Sequence, residues 1–260
     1  MPLTPENCPL HGKKVLITRA QRQNVGLAQA LEKLGAEVVS HPLIRIDWVE
    51  DMGRVNDCLE RIEDFATVAF LSQNAAIHFA VALSAVERSQ TMPPVGAIGP
   101  GTKSKLEKRG YTVQFLPEEA NSESMANALI RKYQSSGFTK PILILRANRG
   151  SDVISRELNA VEIPFVELAI YRSVDVDEAD PAVLQSLQAG EIDWLTVTSS
   201  AIATNAARLF GDVTGSTKIV SISPTTSQAA RDAGLTIAAE ATEYNIDGLI
   251  EAIIKQQHNL

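Results

Sequence analysis

The chain has little of what metal sites and disulfide frameworks are built from. Only two of its 260 residues are cysteines and only four are histidines. Cys8 and Cys58 stand far apart, and no histidine has metal-ligand spacing to a cysteine or to another histidine. We therefore expect no structural disulfide and no bound metal.

Long apolar runs and an excess of basic residues are also missing. No apolar run approaches the length of a membrane span, and the first residues lack the basic and apolar regions of a signal peptide. Lys and Arg number 24 against 31 Asp and Glu, so the formal net charge is −7. Because general nucleic-acid binders need clustered basic residues, this balance argues against one. We expect a cytoplasmic protein that binds neither nucleic acid nor membrane.

What the chain does have is an internal repeat. Three short motifs recur in one order: 15–20 at 142–147, 70–72 at 197–199, and 97–102 at 221–226. The first two pairs are 127 residues apart and the third is 124 residues apart. Three motifs at nearly one spacing predict two similar halves.

Strand and helix patterns alternate along the whole chain. Apolar strands are predicted at 15–18, 37–40, 43–47, 67–71, 95–98, 112–116, 142–145, 165–171, 194–198, 218–222 and 235–239. Helical periodicity lies between most of them, for example at 102–109 and 226–233. Short strands joined by helices indicate parallel sheets with helices on both faces. We predict an α/β protein with two doubly wound, flavodoxin-like domains, in which 43–47 and 165–171 are candidates for a pair of connector strands.

Polar residues gather where the predicted strands end, which is where parallel α/β sheets bind their ligands. The candidate binding residues at these positions are Thr18, Arg19, Ser72, Thr102, Arg146, Ser199, Thr225 and Thr226. Helix N-termini favour carboxylates and phosphates, and arginine can add bidentate recognition of an anion. The structural alternative is that such hydroxyls are ordinary N-caps. Both interpretations can hold for one residue.

Two further features suggest chemistry. Gly99-Pro100-Gly101-Thr102 allows a dinucleotide-binding interpretation, but Ser104 stands at the third glycine of that fingerprint, so we favour a helix entry. Tyr171, beside Arg172, ends a candidate connector strand. It is either an interfacial aromatic with a bonded hydroxyl or a weak acid facing a cleft between the domains.

Taken together, these segments resemble the uroporphyrinogen-III synthase family over about residues 14–254. The segments that carry the resemblance are 15–19, 35–38, 42–44, 70–72, 97–102, 170–172, 198–199 and 222–226. Their order and spacing are more specific than any one of them. The resemblance implies two α/β domains, 1–41 plus 174–260 and 52–163, joined by a two-stranded connector formed by 42–51 and 164–173. Gln73 and Ser223 depart from the usual family pattern, which often has proline and glycine there.

The resemblance also implies an activity. Such enzymes take hydroxymethylbilane, a linear tetrapyrrole octacarboxylate, remove water, invert ring D through a spiro intermediate and close uroporphyrinogen III. No metal or organic cofactor is implied. Tyr171 is then the candidate acid or donor for the leaving hydroxyl, since a free phenol is protonated at neutral pH. Ser72, Thr102, Ser199, Thr225 and Thr226 match family positions at the cleft.

We expect a monomer that receives its substrate from hydroxymethylbilane synthase. Two other classes of protein remain open on the sequence. A non-enzymatic bilobal protein that closes on an anionic ligand would need the same hinge and the same anion sites at helix ends. A nucleotide-dependent enzyme would depend on the segment from Gly99 to Thr102.

Overall fold

The computed structural model describes residues 8–86 and 91–258. Two compact units make up this structure. One consists of the chain up to Arg45 and from Val174 onward, and the other of Ile46–Ser173. Each unit contains one five-stranded sheet. Within the described ranges, no helix is long and apolar enough to span a membrane.

Strands and helices alternate as the sequence predicts. In chain order they are β1 (Lys14–Ile17), α1 (Gln21–Lys33), β2 (Glu37–Ser40), β3 (Ile44–Trp48), α2 (Met52–Glu60), β4 (Thr67–Phe70), α3 (Gln73–Ser84), β5 (Val95–Ala97), α4 (Pro100–Glu107), α5 (Ser122–Ser136), β6 (Ile142–Ala147), α6 (Val153–Ala160), β7 (Phe165–Asp175), α7 (Pro181–Gln188), β8 (Trp194–Val197), α8 (Ser200–Phe210), β9 (Lys218–Ser221), α9 (Pro224–Asp232), β10 (Ile237–Glu240) and α10 (Ile246–His258). A 3₁₀ turn, Ile62–Asp64, lies between α2 and β4.

The first unit has the strand order β10-β9-β8-β1-β2, and all four pairings are parallel. Counted within the unit, this is the flavodoxin-like order 2-1-3-4-5. The second sheet has the order β5-β4-β6-β7-β3, and its pairings from β5 to β7 are also parallel. The prediction of an α/β protein with parallel sheets is therefore confirmed.

The internal repeat explains why the two sheets match. β1 corresponds to β6, β8 to β4 and β9 to β5, so the rows β9-β8-β1-β2 and β5-β4-β6-β7 are equivalent. Each sheet therefore combines two early strands of one repeat with later strands of the other. The repeat boundary near residue 140 falls inside the second unit, away from the division between the units.

The strands predicted as connectors, β3 and β7, lie side by side at one edge of the second sheet. The division between the units falls inside both strands, after Arg45 in β3 and after Ser173 in β7. β7 is also longer than predicted and extends to Asp175.

The strand predicted at 112–116 is wrong: in the structure, this segment makes only a single bridge, between Gly96 and Phe115. A Cβ added to Gly96 would lie 2.2 Å from Cζ of Phe115, so the phenyl ring occupies the space above this glycine. The Gln114 side chain accepts the Val95 N–H. Two backbone hydrogen bonds, from the Gln114 N–H to the Val95 carbonyl and from the Ala97 N–H to the Phe115 carbonyl, make this bridge, and the pairing does not extend into a ladder.

Two helices begin earlier than predicted. Helix α4 begins at Pro100 and α9 at Pro224, whereas the periodicity places their starts at Thr102 and Thr226. Proline is well suited to the first helical position, because its fixed φ fits the helix and its missing N–H would have no partner there. The shift places both threonines inside the first turn.

Alternating strand residues build a core on each face of the second sheet. Phe70 and Leu145 join one buried cluster, which also contains Phe79 of α3. Ala69 and Ile144 join a second cluster, with helices α5 and α6. Because successive strand residues point to opposite faces, both sides of this sheet are covered by helices. The strand ends are thereby fixed at one rim of the sheet.

Candidate functional site

Tyr171 owes its position to an irregularity in β7. Arg146 of β6 pairs with Ala169, but the next residue, Ala147, pairs with Tyr171, so Ile170 is an extra residue between them. Such bulges re-aim a side chain. As a result Ile170 and Tyr171, although adjacent, are both buried in the cluster on one face of the sheet. Tyr171 is 6 % exposed.

The Tyr171 hydroxyl meets the hydroxyl of Ser72, and the two oxygens are 3.0 Å apart. Ser72 is the N-cap of α3, where its Oγ accepts the Ala75 N–H at 3.0 Å. The cap fixes the serine side chain at the end of β4. The structure thus brings together two of the residues predicted from the sequence, one as the acid and one as a binding residue.

A row of aromatic side chains extends from the Tyr171 ring through His78 to Trp48. The His78 ring stacks on Tyr171, with centroids 5.3 Å apart and planes 25° apart. On His78 the Trp48 ring packs edge-on, with centroids 4.6 Å apart. His78 Nδ1 is 2.9 Å from the Asn74 carbonyl oxygen, one helical turn earlier in α3. Since a carbonyl oxygen only accepts hydrogen bonds, Nδ1 carries the hydrogen.

The backbone around Tyr171 is also held by side chains. Its carbonyl accepts the Asn148 N–H at 3.1 Å, and the Asn148 Oδ1 accepts the Ser173 N–H at 2.9 Å. Arg149 Nη2 donates to the Ser173 hydroxyl at 3.0 Å. Arg172 pairs with Glu50. The strand on both sides of the tyrosine is therefore anchored.

The other two candidates in this unit are less available to a ligand: Arg146 is paired with a carboxylate, and Thr102 is buried. Arg146 Nη1 donates to Glu167 Oε1 at 2.8 Å, and the two side chains are 14 % and 30 % exposed. An anion at Arg146 would have to compete with this carboxylate. Thr102 is 4 % exposed, in the first turn of α4. Within the described chain, neither residue forms a hydrogen bond or ring contact with Tyr171, so the structure does not group them with Ser72.

In the other unit, Ser199 occupies the position equivalent to Ser72. It is the N-cap of α8, and its Oγ accepts the Ile202 N–H at 3.3 Å. Its backbone angles, φ −166° and ψ 159°, match φ −166° and ψ 161° at Ser72. The repeat is thus preserved in local geometry. No aromatic ring stands opposite Ser199 in the way that Tyr171 stands opposite Ser72, within the residues described.

Thr225 and Thr226 lie in the first turn of α9. Ser223 is the N-cap, and its Oγ accepts the Thr226 N–H at 3.3 Å and lies 3.1 Å from the Thr226 hydroxyl. Thr226 is 3 % exposed, whereas Thr225 is exposed. Only Thr225 of this pair presents its side chain to solvent.

Thr18 and Arg19 end β1 and have different surroundings. The fully buried Thr18 hydroxyl donates to the Thr196 carbonyl at 2.5 Å, which ties β1 to β8. Arg19 Nε contacts Gln23 Oε1 at 3.4 Å, and no carboxylate pairs with it in the part of the chain that the structure describes. Burial lowers the pKa of Arg19. A half-buried guanidinium without an anion is suited to a carboxylate ligand.

The glycines that suggested nucleotide binding have packing reasons of their own. A Cβ added to Gly99 would lie 2.9 Å from Cβ of Ala120, and one on Gly101 would lie 2.7 Å from Nε2 of Gln73. Side chains thus already occupy the space that these glycines leave. Among residues 8–86 and 91–258, no group of three or more His, Cys, Asp or Glu side chains could hold a metal ion.

Sequence reasoning missed Trp48 and His78. Only the fold brings His78 of α3 against Tyr171 and Trp48 of β3 against His78. One signal was present: His78 interrupts an otherwise small and apolar stretch of α3, four residues after Asn74. Spacing to other metal ligands was the wrong criterion for this histidine.

Comparison with known proteins agrees with this architecture. A crystal structure of a mutant uroporphyrinogen III synthase from the extremely thermophilic bacterium Thermus thermophilus aligns with a TM-score of 0.64 and 14 % identity, covering 95 % of this chain and 100 % of that one. A uroporphyrinogen-III synthetase from Helicobacter pylori aligns with a TM-score of 0.60 and 16 % identity, covering 94 % and 99 %. These matches define the fold as that of a two-domain α/β protein.

Sequence matches identify the family. Residues 25–251 match the family model described as uroporphyrinogen-III synthase HemD. The uroporphyrinogen-III synthase of Synechococcus elongatus is 26 % identical over 256 residues, which cover 94 % of this chain and 96 % of that protein. A porphyrin biosynthesis protein HemD from Ruminiclostridium josui is 25 % identical over 251 residues; the match covers 95 % of this chain but only 49 % of that protein.

The chain belongs to the uroporphyrinogen-III synthase family. Membership makes it a lyase of porphyrin biosynthesis and confirms the predicted family, fold class and function. The alternative of a non-enzymatic binding protein is not favoured by these matches.

Proposed function

We propose that this chain closes hydroxymethylbilane to uroporphyrinogen III with inversion of ring D, and that Tyr171 assists loss of the hydroxyl group. The observation that carries the assignment is the pair of hydroxyls on Tyr171 and Ser72, 3.0 Å apart at the end of β4. Both residues lie in one unit, so the assignment depends on no contact from the other.

The hydrogen bonds that Ser72 already makes decide which hydroxyl of this pair donates. The Ser72 Oγ already accepts the Ala75 N–H, and its own hydrogen remains to be donated. When Ser72 donates to the Tyr171 oxygen, the phenolic hydrogen can point to a substrate hydroxyl. Negative charge that develops on the phenol oxygen as its proton leaves would then be stabilised by the serine O–H.

The proton balance closes over the reaction. Tyr171 donates a proton to the terminal hydroxyl, which departs as water while the pyrrole nitrogen supplies the electron pair. Ring D then bonds, through the carbon that already carries its bridge, to the methylene carbon that lost water, which gives the spiro intermediate. The original bond between that ring D carbon and its bridge breaks, the bridge bonds to the free α-carbon of ring D, and this carbon then loses its hydrogen as a proton. That proton returns to the phenol oxygen, so no cofactor enters the balance. The remaining rate acceleration, and the choice of the type III over the type I product, come from holding the two ends of the substrate in the geometry for that closure.

Substrate carboxylates need cationic or N–H donors. We assign one carboxylate to Arg19, which is half-buried and has no anionic partner among the described residues. Thr225 and Ser199 lie at the N-termini of α9 and α8, where the helix dipole favours an anion. Thr18, Thr102, Arg146 and Thr226 remain candidates whose contacts would need their present hydrogen bonds or packing to change.

The organisation of the molecule is part of the proposal. The domains are 1–41 plus 174–260 and 52–163, with 42–51 and 164–173 as connectors. The division into compact units after Arg45 and after Ser173 is consistent with these ranges. We further propose that the protein acts as a monomer.

We place the protein in the cytoplasm, where both of its cysteines would stay reduced; neither forms a disulfide in the described chain. Hydroxymethylbilane closes without assistance to the type I isomer, so direct transfer from hydroxymethylbilane synthase would favour the enzymatic product. A coupled assay tests the proposed function. Hydroxymethylbilane is generated in place, and the isomers are separated by chromatography with and without the protein. Type III product only in its presence is expected; type I alone in both samples would refute the proposal.

A further inference from the structure

We infer that His78 is a positioning residue for this reaction, which holds the Tyr171 ring so that its hydroxyl stays at Ser72. The inference rests on the proposed function, since it assumes that Tyr171 acts on the substrate. It assigns His78 no contact with the substrate.

The orientation of the histidine ring is set by its own helix. Nδ1 donates to the Asn74 carbonyl oxygen at 2.9 Å, within one turn of α3. The edge-on contact with Trp48, at a centroid distance of 4.6 Å, limits movement on another side. An imidazole held by a hydrogen bond and an indole cannot rotate freely. It therefore presents a fixed surface to its neighbour.

That neighbour is the Tyr171 ring. The stacked contact, 5.3 Å between centroids and 25° between planes, lies against a phenol that is otherwise packed in the core cluster of this unit. The tyrosine has two side-chain torsions, and only the Ser72 contact restrains its hydroxyl among the residues described. His78 closes the space into which the ring would otherwise tilt. Loss of the imidazole would let the hydroxyl leave Ser72.

The same helix positions both partners of the tyrosine. Ser72 is the N-cap of α3, and His78 lies six residues further on, near the middle of the same helix. The distance between the two is therefore set by helix geometry and does not depend on loops. One rigid element contacts the tyrosine at its hydroxyl and on its ring face.

The test uses two substitutions and a matched control. His78→Ala removes the stack and should lower kcat about three- to tenfold, the range expected for one aromatic contact, with KM within about twofold of wild type. His78→Phe keeps a ring against Tyr171 and should restore kcat to within about twofold of wild type. His11→Ala removes an exposed imidazole from the other unit and should change neither constant.

Three results would overturn the inference. They are wild-type kcat in His78→Ala, an equal loss of kcat in both His78 variants, or a rise in KM with kcat unchanged, which would indicate a binding contact. If His78→Ala does not fold, His78→Phe still tests the inference. A kcat of His78→Phe well below wild type would contradict the inference that a ring at position 78 is enough to hold Tyr171.

A second readout needs no substrate. In protein labelled with ¹³C-tyrosine, the Tyr171 ring signals, assigned with Tyr171→Phe, should report faster ring flips in His78→Ala than in wild type or His78→Phe. Equal flip rates in all three proteins would refute the positioning contact. If wild type forms only the type I isomer, the proposed function fails, and the ring dynamics still show whether His78 restrains Tyr171.

Discussion

Replacing Tyr171 by phenylalanine removes one oxygen and keeps the ring in its buried place. The lost contact is the 3.0 Å hydrogen bond to Ser72, so the free energy of unfolding should fall by about 1 kcal/mol. Ser72 keeps its capping bond to Ala75. The effect on catalysis should be larger, because the variant has no proton to give to the departing hydroxyl. We expect kcat to fall about 100-fold, which corresponds to a rise of about 2.7 kcal/mol in activation free energy, with little change in KM.

Ser199→Ala is the matched control for this variant. Ser199 caps α8 with the backbone angles that Ser72 has at α3, so its loss should also cost about 1 kcal/mol of stability. Its kcat should stay within a few-fold of wild type, since no phenol stands opposite it in the described chain. Initial rates of type III formation, measured by chromatography well below the melting temperature of each variant, give kcat and KM. Equal rates near the wild-type value for both variants would refute the role of Tyr171.

Three further predictions concern stability and binding. Gly96→Ala places a Cβ in the space of the Phe115 ring and should lower the free energy of unfolding by about 1–3 kcal/mol, which urea denaturation would show as a lower midpoint. An unchanged midpoint would mean that this edge is loosely packed. Burial lowers the pKa of His41 against the opposing charge of Asp180. The unfolded state then binds more protons, so stability should drop as pH falls below about 6.5, and His41→Phe should lose part of that slope; parallel slopes would contradict this. Arg19→Gln should raise KM about tenfold at nearly constant kcat, because it removes a charged donor for a carboxylate; an unchanged KM would exclude that contact.

Local patterns were enough to predict most of the secondary structure. Apolar runs bounded by turn residues located strands such as β2 and helices such as α2 and α7 at their observed bounds. The internal repeat was equally informative, because equivalent segments occupy equivalent places in the two sheets. What the repeat could not show is that each sheet combines strands from both halves, since that depends on long-range pairing.

The errors have identifiable causes. The segment around Phe115 has a strand-like pattern, but its ring fills the gap above Gly96 and only one bridge forms. The bulge at Ile170 turns Tyr171 to the core face, and no sequence periodicity predicts an extra residue in a ladder. Both the missing strand and the bulge depend on which strand or side chain packs against the segment in the folded chain.

Prediction of the site was partial for the same reason. Tyr171 and Ser72 were found as strand-end residues, and the structure brings them together. The partner of Arg146, Glu167, lies on the neighbouring strand and could not be assigned without the pairing of β6 with β7. Trp48 contacts His78 and His78 contacts Tyr171 from three different elements, β3, α3 and β7, so this row is a property of the tertiary structure.

The isomer composition of the product is the measurement that tests the central claim most directly. Purified protein is mixed with freshly generated hydroxymethylbilane, and the fractions of type III and type I uroporphyrinogen are followed with time at several enzyme concentrations. We predict that type III predominates and that its initial rate rises in proportion to enzyme, with a much smaller rate for Tyr171→Phe. Type I as the sole product at every concentration of wild-type protein would contradict the account.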